Sequence, residues 1–373
     1  MKFRPLPQPQ FSSPLHHPRV AVVIGRWLGA AVLVCFLTGV FSHVQQETTY
    51  VPSRPVSLYR VTQGLHVLSG TIAIPLLLAK LWTVYPKLFA KPPWPPSRQA
   101  LVSIVERLSI LVLVATLALE LLTGFLNTIQ WYPWPFPFRE THYALAWIIV
   151  GALIVHLAVK LPLIVEHWRK VRAAPRQDGL SRRGLFRIVA GAGALVGVTT
   201  VGQSVPPLGP LAVLAPRRPG VGPQGLPVNR TAEAAGVVRA DSEWRLTIVG
   251  PRELSFTLDE LRRLPQTQAD LPIACVEGWS QGARWEGIRI RDLLSLCGAA
   301  KSAGVRVRSL EKGGFYGTSE LPAQFAQDPL TLLALRLNGA DLDLDHGYPA
   351  RIIAPNRPGV LQTKWVHRLE VLS

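Results

Sequence analysis

Five stretches of this chain are apolar and long enough to cross a lipid bilayer, and no other feature restricts its architecture as strongly. They run from about Val20 to Phe41, Leu58 to Tyr85, Leu101 to Leu126, Tyr143 to Val165 and Leu185 to Val205. A hydrocarbon core about 30 Å thick takes about 20 apolar residues per helix, and within it only helices or closed barrels satisfy their backbone polar groups. The first half of the chain is therefore expected to be an all-α bundle. Among 373 residues the net charge is +17. The basic residues are dispersed or sit beside spans rather than along one helix face, which argues for a topology signal and against nucleic-acid binding. Three cysteines, at 35, 275 and 297, imply no disulfide framework.

Lys87, Lys91 and Arg98 follow the second span, and Arg169, Lys170, Arg172, Arg176, Arg182 and Arg183 precede the fifth. Positive loops face the cytoplasm, so both connections are expected there, with the amino terminus. The aromatic, Pro-rich loop Trp131 to Phe138 suits an outer membrane interface. With five spans the chain end is expected on the extracytoplasmic side of the cell membrane. Ser181-Arg182-Arg183-Gly184-Leu185-Phe186 before a Gly/Ala-rich apolar run resembles an internal twin-arginine export signal, the alternative being ordinary flanking charge. No cleavage site is evident near Ala212 to Ala215, so the anchor is expected to stay. The expected organisation is a cytoplasmic arm (1–19), a four-helix membrane domain (20–168), a basic loop with the fifth span (169–214), a Pro/Gly linker (215–225) and a terminal domain (226–373).

Histidines within spans are costly in hydrocarbon and tend to be functional. His66 lies in the second span, His142 and His156 in the fourth. The last two are fourteen apart, close to four helical turns, so they share a helix face. This arrangement resembles bacterial membrane cytochromes b, where imidazole pairs ligate haem. From the span ends His66 is about 12 Å deep, His142 at the surface and His156 about 20 Å down. His66 with either His142 or His156 is a candidate haem b pair, the alternative being hydrogen bonding within the bundle. Glu120 is expected to reach interfacial water, Lys80 and Lys160 to snorkel, and Cys35 to pack as a small apolar residue.

Residues 226–373 suffice for one core. Strand-like runs (Trp244 to Val249, Val305 to Ser309, Ala350 to Ile353, Trp365 to Leu372) alternate with helical ones (Leu258 to Leu264, Ile290 to Leu296, Pro329 to Arg336), which predicts a mixed α+β domain. Within it, CVEGWS (275–280) places a soft thiolate between an apolar run and a Gly-Trp turn, a setting suited to a thiophilic metal. That motif is followed by Trp285-Glu286-Gly287-Ile288, Arg291-Asp292-Leu293-Leu294, Leu337-Asn338-Gly339, His346-Gly347-Tyr348-Pro349-Ala350-Arg351 and Thr363-Lys364-Trp365-Val366. In this order the motifs resemble the molybdopterin-binding domain of the sulfite oxidase family. The CVEGWS form is nearer to periplasmic protein-methionine-sulfoxide reductases than to sulfite oxidases proper.

The resemblance implies Cys275 as the single protein ligand to molybdenum, beside the pterin dithiolene and oxo groups. It implies His346, Arg351 and Lys364 as partners of the pterin phosphate, with Asn229 and Arg230 near the cofactor. Arginine suits phosphate because its planar fork binds two oxygens at once, and lysine adds a point charge. Tyr316 and Arg284 are further candidates at the reacting side. Cys297 is expected to pack in the core, the alternative being a disulfide with Cys275. The expected whole is a membrane-anchored molybdenum oxidoreductase exchanging electrons with quinone through haem b. A haem-free anchor served by a soluble redox partner protein, and an inert binding module, are the alternatives. Expected partners are membrane lipid, quinone or that redox protein, and a small-molecule or protein-sulfoxide substrate. Sulfite, a sulfoxide, an N-oxide and protein methionine sulfoxide all stay open.

Overall fold

The computed structural model describes residues 14–47, 50–88, 98–168, 181–215, 217–238, 243–312 and 316–372. The expected arm before residue 14, and Lys91, Arg169, Lys170, Arg172 and Arg176, lie outside them. Two compact units emerge, one of residues 1–37 and 66–200, the other of residues 38–65 and 201–373.

The five expected spans are helices α1 (Pro18–Glu47), α2 (Leu58–Leu88), α3 (Arg98–Thr128), α4 (Phe138–Glu166) and α5 (Arg182–Val201). Each contains a stretch long and apolar enough to cross a membrane. Helices gain little from burying apolar surface against one another in lipid, so close backbone approach matters. On α5, Gly197 lets α2 pack close: a Cβ there would stand 2.8 Å from Leu68 Cδ1, so that side chain would have to shift. Val20, Ile24, Leu28, Leu76, Leu77, Leu117, Ile149 and Val189 form the shared core of this unit. Lys80 and Lys160, expected to snorkel, have partners: Lys80 Nζ donates to the Ala21 carbonyl at 2.7 Å and Lys160 pairs with Glu106. Helix α4 begins at Phe138, before the expected Tyr143, with Glu140 in its first turn opposite the exposed N–H groups.

The second unit carries β1 (Arg245–Val249), β2 (Leu254–Thr257), α6 (Leu258–Arg263), β3 (Thr267–Ala274), β4 (Ser280–Arg289), α7 (Ile290–Leu296), β5 (Gly304–Ser309), β6 (Thr318–Leu321), α8 (Ala323–Ala326), β7 (Leu332–Leu337), β8 (Ala340–Asp341), β9 (Arg351–Ile353) and β10 (Val366–Leu372). One sheet runs β2-β1-β10-β5-β6, with β1 and β10 parallel. The other runs β3-β4-β7-β8, with β9 also on β7. The mixed α+β architecture is as expected. Of residues 329–336, expected as a helix, 332–336 lie in β7 instead. Its run LLALRL is central to its sheet and almost wholly buried, and so short an apolar run carries no periodicity that separates strand from helix.

One core, with Leu246, Ile288, Leu293, Val305, Leu333 and Leu369, contains Cys297. A second, with Leu271, Trp285, Leu332 and Ile353, contains Cys275 and Trp279. Both cysteines are free, which excludes the disulfide alternative.

Candidate functional site

Strand β3 ends at Ala274 and delivers Cys275 to a tight turn. The Cys275 N–H donates to the Trp279 carbonyl at 2.9 Å, and the Gly278 N–H to the Cys275 carbonyl at 3.1 Å. Trp279 Nε1 donates to Glu277 at 3.0 Å and so fixes the carboxylate beside the thiol. The Cys275 side chain is buried, and burial followed by the Glu277 charge pushes its thiol well above the ordinary value. As a free thiol it keeps its proton, so binding a metal must release one.

A cleft at this turn is lined by Pro227, Asn229, Ile273, Cys275, Trp279, His346, Arg351, Gly359 and Lys364. Four segments distant in sequence supply its polar members. His346 closes a 3-10 turn that Gly347 ends in the left-handed region (φ 106°). A Cβ at Gly347 would lie 2.9 Å from Lys364 Cβ and 3.2 Å from Arg351 Cβ, so glycine is what lets the three binding residues stand together. His346 Nε2 is 2.8 Å from the Pro223 carbonyl. Burial, then the Arg351 charge, lowers His346 to about 4, which makes it a neutral imidazole.

Arg351 starts β9 and is 3% exposed, a rare depth for a cation. Its Nη atoms donate to the carbonyls of His346 (3.0 Å) and Gln362 (3.2 Å), and its Nε has no partner among the described residues. The guanidinium stands 5.0 Å from the Trp285 ring centre. Burial alone pushes it down to about 9. Lys364 Nζ donates to the carbonyls of Asp345 (2.9 Å) and Arg230 and reaches Asn229 Oδ1 at 3.4 Å. Burial, then Arg351, lowers it to about 7. Two buried cations meeting mostly carbonyl oxygens leave positive charge uncompensated, and an anion bound in the cleft would supply the balance. The residues therefore fit a phosphate-bearing cofactor with a soft metal at Cys275.

Some expected residues are placed elsewhere. Arg230 turns its guanidinium to Glu311 at 2.8 Å and offers the cleft only its carbonyl. Arg284 lies on the outward edge of β4, 62% exposed and paired with Asp270 at 3.2 Å, in a different groove. Tyr316 is half-buried and interacts electrostatically with Tyr59. Tyr59, Gln63 and Val56 had no role in the sequence reading. Gln63 Nε2 donates to the Val276 carbonyl at 2.7 Å, Val56 packs on the core that holds Cys275, and Tyr59 lies within electrostatic reach of Cys275. Their signal in the sequence is faint: polar Gln45, Gln46 and Gln63 inside the ends of apolar helices.

The first unit brings two of the three histidines together. His66 and His142 rings stand 6.2 Å apart, nearly perpendicular. His142 is less superficial than expected because α4 starts earlier. His66 Nδ1 lies 2.9 Å from the Cys35 carbonyl and 3.6 Å from its sulfur, so Cys35 does more than pack. His142 Nε2 contacts Glu120 at 3.2 Å, and Glu120 is 13% exposed rather than opened to water. His156 stands apart from this pair, and its Nδ1 is buried without a hydrogen-bond partner among the described residues. Metal-bound imidazoles usually hand their second ring nitrogen to a carbonyl or carboxylate, as His66 does here.

Residues 234–373 match the family described as the oxidoreductase molybdopterin binding domain. Over this stretch the chain resembles the molybdenum oxidoreductases of the sulfite oxidase family. Mitochondrial sulfite oxidase of Rattus norvegicus is 32% identical over 166 residues, 35% of this chain and 29% of that protein. A putative protein-methionine-sulfoxide reductase subunit of Azospira oryzae is 32% identical over 122 residues, 32% of this chain and 44% of that one. The chain thus spans less than half the length of these relatives. Among solved structures, a sulfane dehydrogenase from Paracoccus pantotrophus matches 42% of this chain and 46% of its own at 22% identity and a TM-score of 0.36.

Proposed function

We propose that the chain is a membrane-anchored molybdenum-cofactor oxidoreductase, its catalytic domain on the extracytoplasmic side of the cell membrane and its electrons exchanged with the quinone pool through haem b. The observation that carries this reading is the convergence of Cys275 with Asn229, His346, Arg351 and Lys364 on one cleft. When bound, the molybdenum–pterin group supplies two-electron oxo-transfer chemistry.

The chain's own residues have defined parts in this reading. Cys275 holds the metal as thiolate after giving up its proton, and the Cys275–Trp279 turn aims the sulfur. Arg351 and Lys364 hold the phosphate by charge-assisted hydrogen bonds, with Asn229 orienting Lys364. Neutral His346 anchors the loop by donating from Nε2 to the Pro223 carbonyl, which leaves Nδ1 an acceptor. Apolar Ile273, Trp279 and Pro227 exclude water from the thiolate side. The substrate class is a sulfur- or nitrogen-bound oxygen, or sulfite in the reverse sense. Arg182 and Arg183 serve folded export in this reading, since a domain that acquires its cofactor in the cytoplasm must cross folded.

In the membrane unit, His66 and His142 are the pair assigned to haem b. Their rings stand 6.2 Å apart on neighbouring helices, and together they would hold one haem iron. A second reading keeps the enzyme and drops the haem, with a soluble electron partner, because His142 Nε2 already faces Glu120. The test is metal analysis and a reduced-minus-oxidised visible spectrum on one purified sample of the full chain. The proposal expects about one molybdenum per chain together with sharp haem b bands. Molybdenum without those bands selects the second reading, and a folded protein free of molybdenum from cofactor-competent cells refutes both.

A further inference from the structure

Residues 38–65 belong to the same compact unit as the carboxyl-terminal domain, although they lie outside its recognised span. Their attachment is extensive and polar. Arg54 meets Asp328 through Nε (3.0 Å) and Nη2 (2.9 Å), and Ser53 Oγ adds a third donor to the same carboxylate at 2.8 Å. Asp328 is buried and Arg54 half-exposed, so this forked pair is screened from one side only. Asn356, held in the left-handed region at φ 51°, acts as a hub. Its Oδ1 accepts from the Tyr59 N–H at 2.7 Å, its Nδ2 donates to the Pro52 carbonyl at 2.7 Å, and its own carbonyl accepts from Gln45 Nε2 at 2.8 Å. Gln324 Nε2 holds the Val51 carbonyl at 3.1 Å.

The docked segment reaches the turn that presents Cys275. Gln63 is 5% exposed and spends its one described donor bond on the Val276 carbonyl, in the residue next to the thiol. Its Oε1 is buried and has no hydrogen-bond partner among the described residues, which leaves an acceptor beside the turn. Tyr59 is 1% exposed, with its hydroxyl 3.5 Å from Ser42 Oγ. A hydroxyl and an amide buried this deeply need a reason, since each unmet polar atom costs about 1–3 kcal/mol.

We propose that residues 38–65 complete the molybdenum site: Gln63 is a positioning residue that sets the Cys275 turn through Val276, and Tyr59 and Arg54 fasten the segment through Asn356 and Asp328. The proposal rests on the assignment of Cys275 as metal ligand. It makes the domain defined by sequence matching incomplete as a catalytic unit, because part of its site comes from the amino-terminal half.

The test uses the full-length protein in detergent and compares wild type with Gln63→Met, which keeps side-chain size and loses the bond to Val276. Molybdenum content, the thiolate-to-metal absorption band and the Mo(V) paramagnetic spectrum are read on each, with KM for dimethyl sulfoxide and for sulfite. Gln63→Met is expected to shift the absorption band and the Mo(V) spectrum, or to lose molybdenum while staying folded. A variant with wild-type metal content and spectra overturns the proposal. A wild type without molybdenum overturns the assignment of Cys275 instead, so the two failures are distinct. Should Gln63→Met misfold, Arg54→Lys, which keeps charge and loses the fork, is expected to shift the Mo(V) spectrum or raise KM with Mo content intact; an unchanged spectrum and KM there also overturn the proposal.

Discussion

The two units treat their buried polar groups in opposite ways. In the membrane helices two of the three expected site residues already have a complement of their own: His66 has the Cys35 carbonyl and His142 has Glu120. In the carboxyl-terminal unit Arg351 and Lys364 are packed around one cleft and satisfied mainly by neutral carbonyls. A group of charges that is locally balanced says little about a missing ligand. A group left electrostatically short points to one, and gives its sign.

The largest effect expected from this contrast is at Cys275. Cys275→Ala should remove molybdenum and bring activity to background, measured by metal analysis and a sulfoxide-reduction or sulfite-oxidation assay, while the visible spectrum of the membrane unit is unchanged. Next come the cations. Arg351→Met should lower cofactor occupancy by about tenfold or more, the scale of a lost charge-assisted hydrogen bond, whereas Arg284→Met should leave it unaltered. Equal losses in the two variants would break the claim that charge in the cleft, rather than charge on the domain, holds the cofactor. In the membrane unit, His66→Ala and His142→Ala should each abolish the haem b bands and His156→Ala should spare them, as read in difference spectra. Loss in all three would move the haem toward His156.

A smaller effect concerns pH. Lys364, near 7 in the free cleft against an ordinary 10.5, is charged below about 7 and neutral above it. An anion prefers the charged form, so inorganic phosphate should stabilise cofactor-free protein more at pH 6.5 than at pH 9, read as the shift in Tm. Without anion the sign reverses. Between about 7 and 10.5 the unfolded chain binds the additional proton, so stability rises with pH across that window. A phosphate effect that grows with pH would contradict the role given to Lys364.

Much of this was legible in the residues. Spans announce themselves because twenty apolar residues in a row have few other uses, and all five are found. Cys275, His346, Arg351 and Lys364, which meet at one cleft, stand out in the sequence because each sits in a short motif with a glycine or aromatic residue. What escaped is long-range. Strand β7 looks helical until its neighbours β4 and β9 flank it. Arg284 looks like an anion contact until strand alternation turns it outward to Asp270. Tyr59 and Gln63 gain meaning only through Asn356 and Val276, nearly three hundred and over two hundred residues away in sequence.

The central claim is that Cys275 and the cations beside it hold one molybdenum–pterin group. X-ray absorption at the molybdenum edge, on purified full-length wild type and Cys275→Ser prepared alike, tests it most directly. The account predicts molybdenum in the wild type and one sulfur neighbour fewer, or no metal, in the variant. Identical sulfur shells in the two proteins, or a folded wild type without molybdenum, would contradict it.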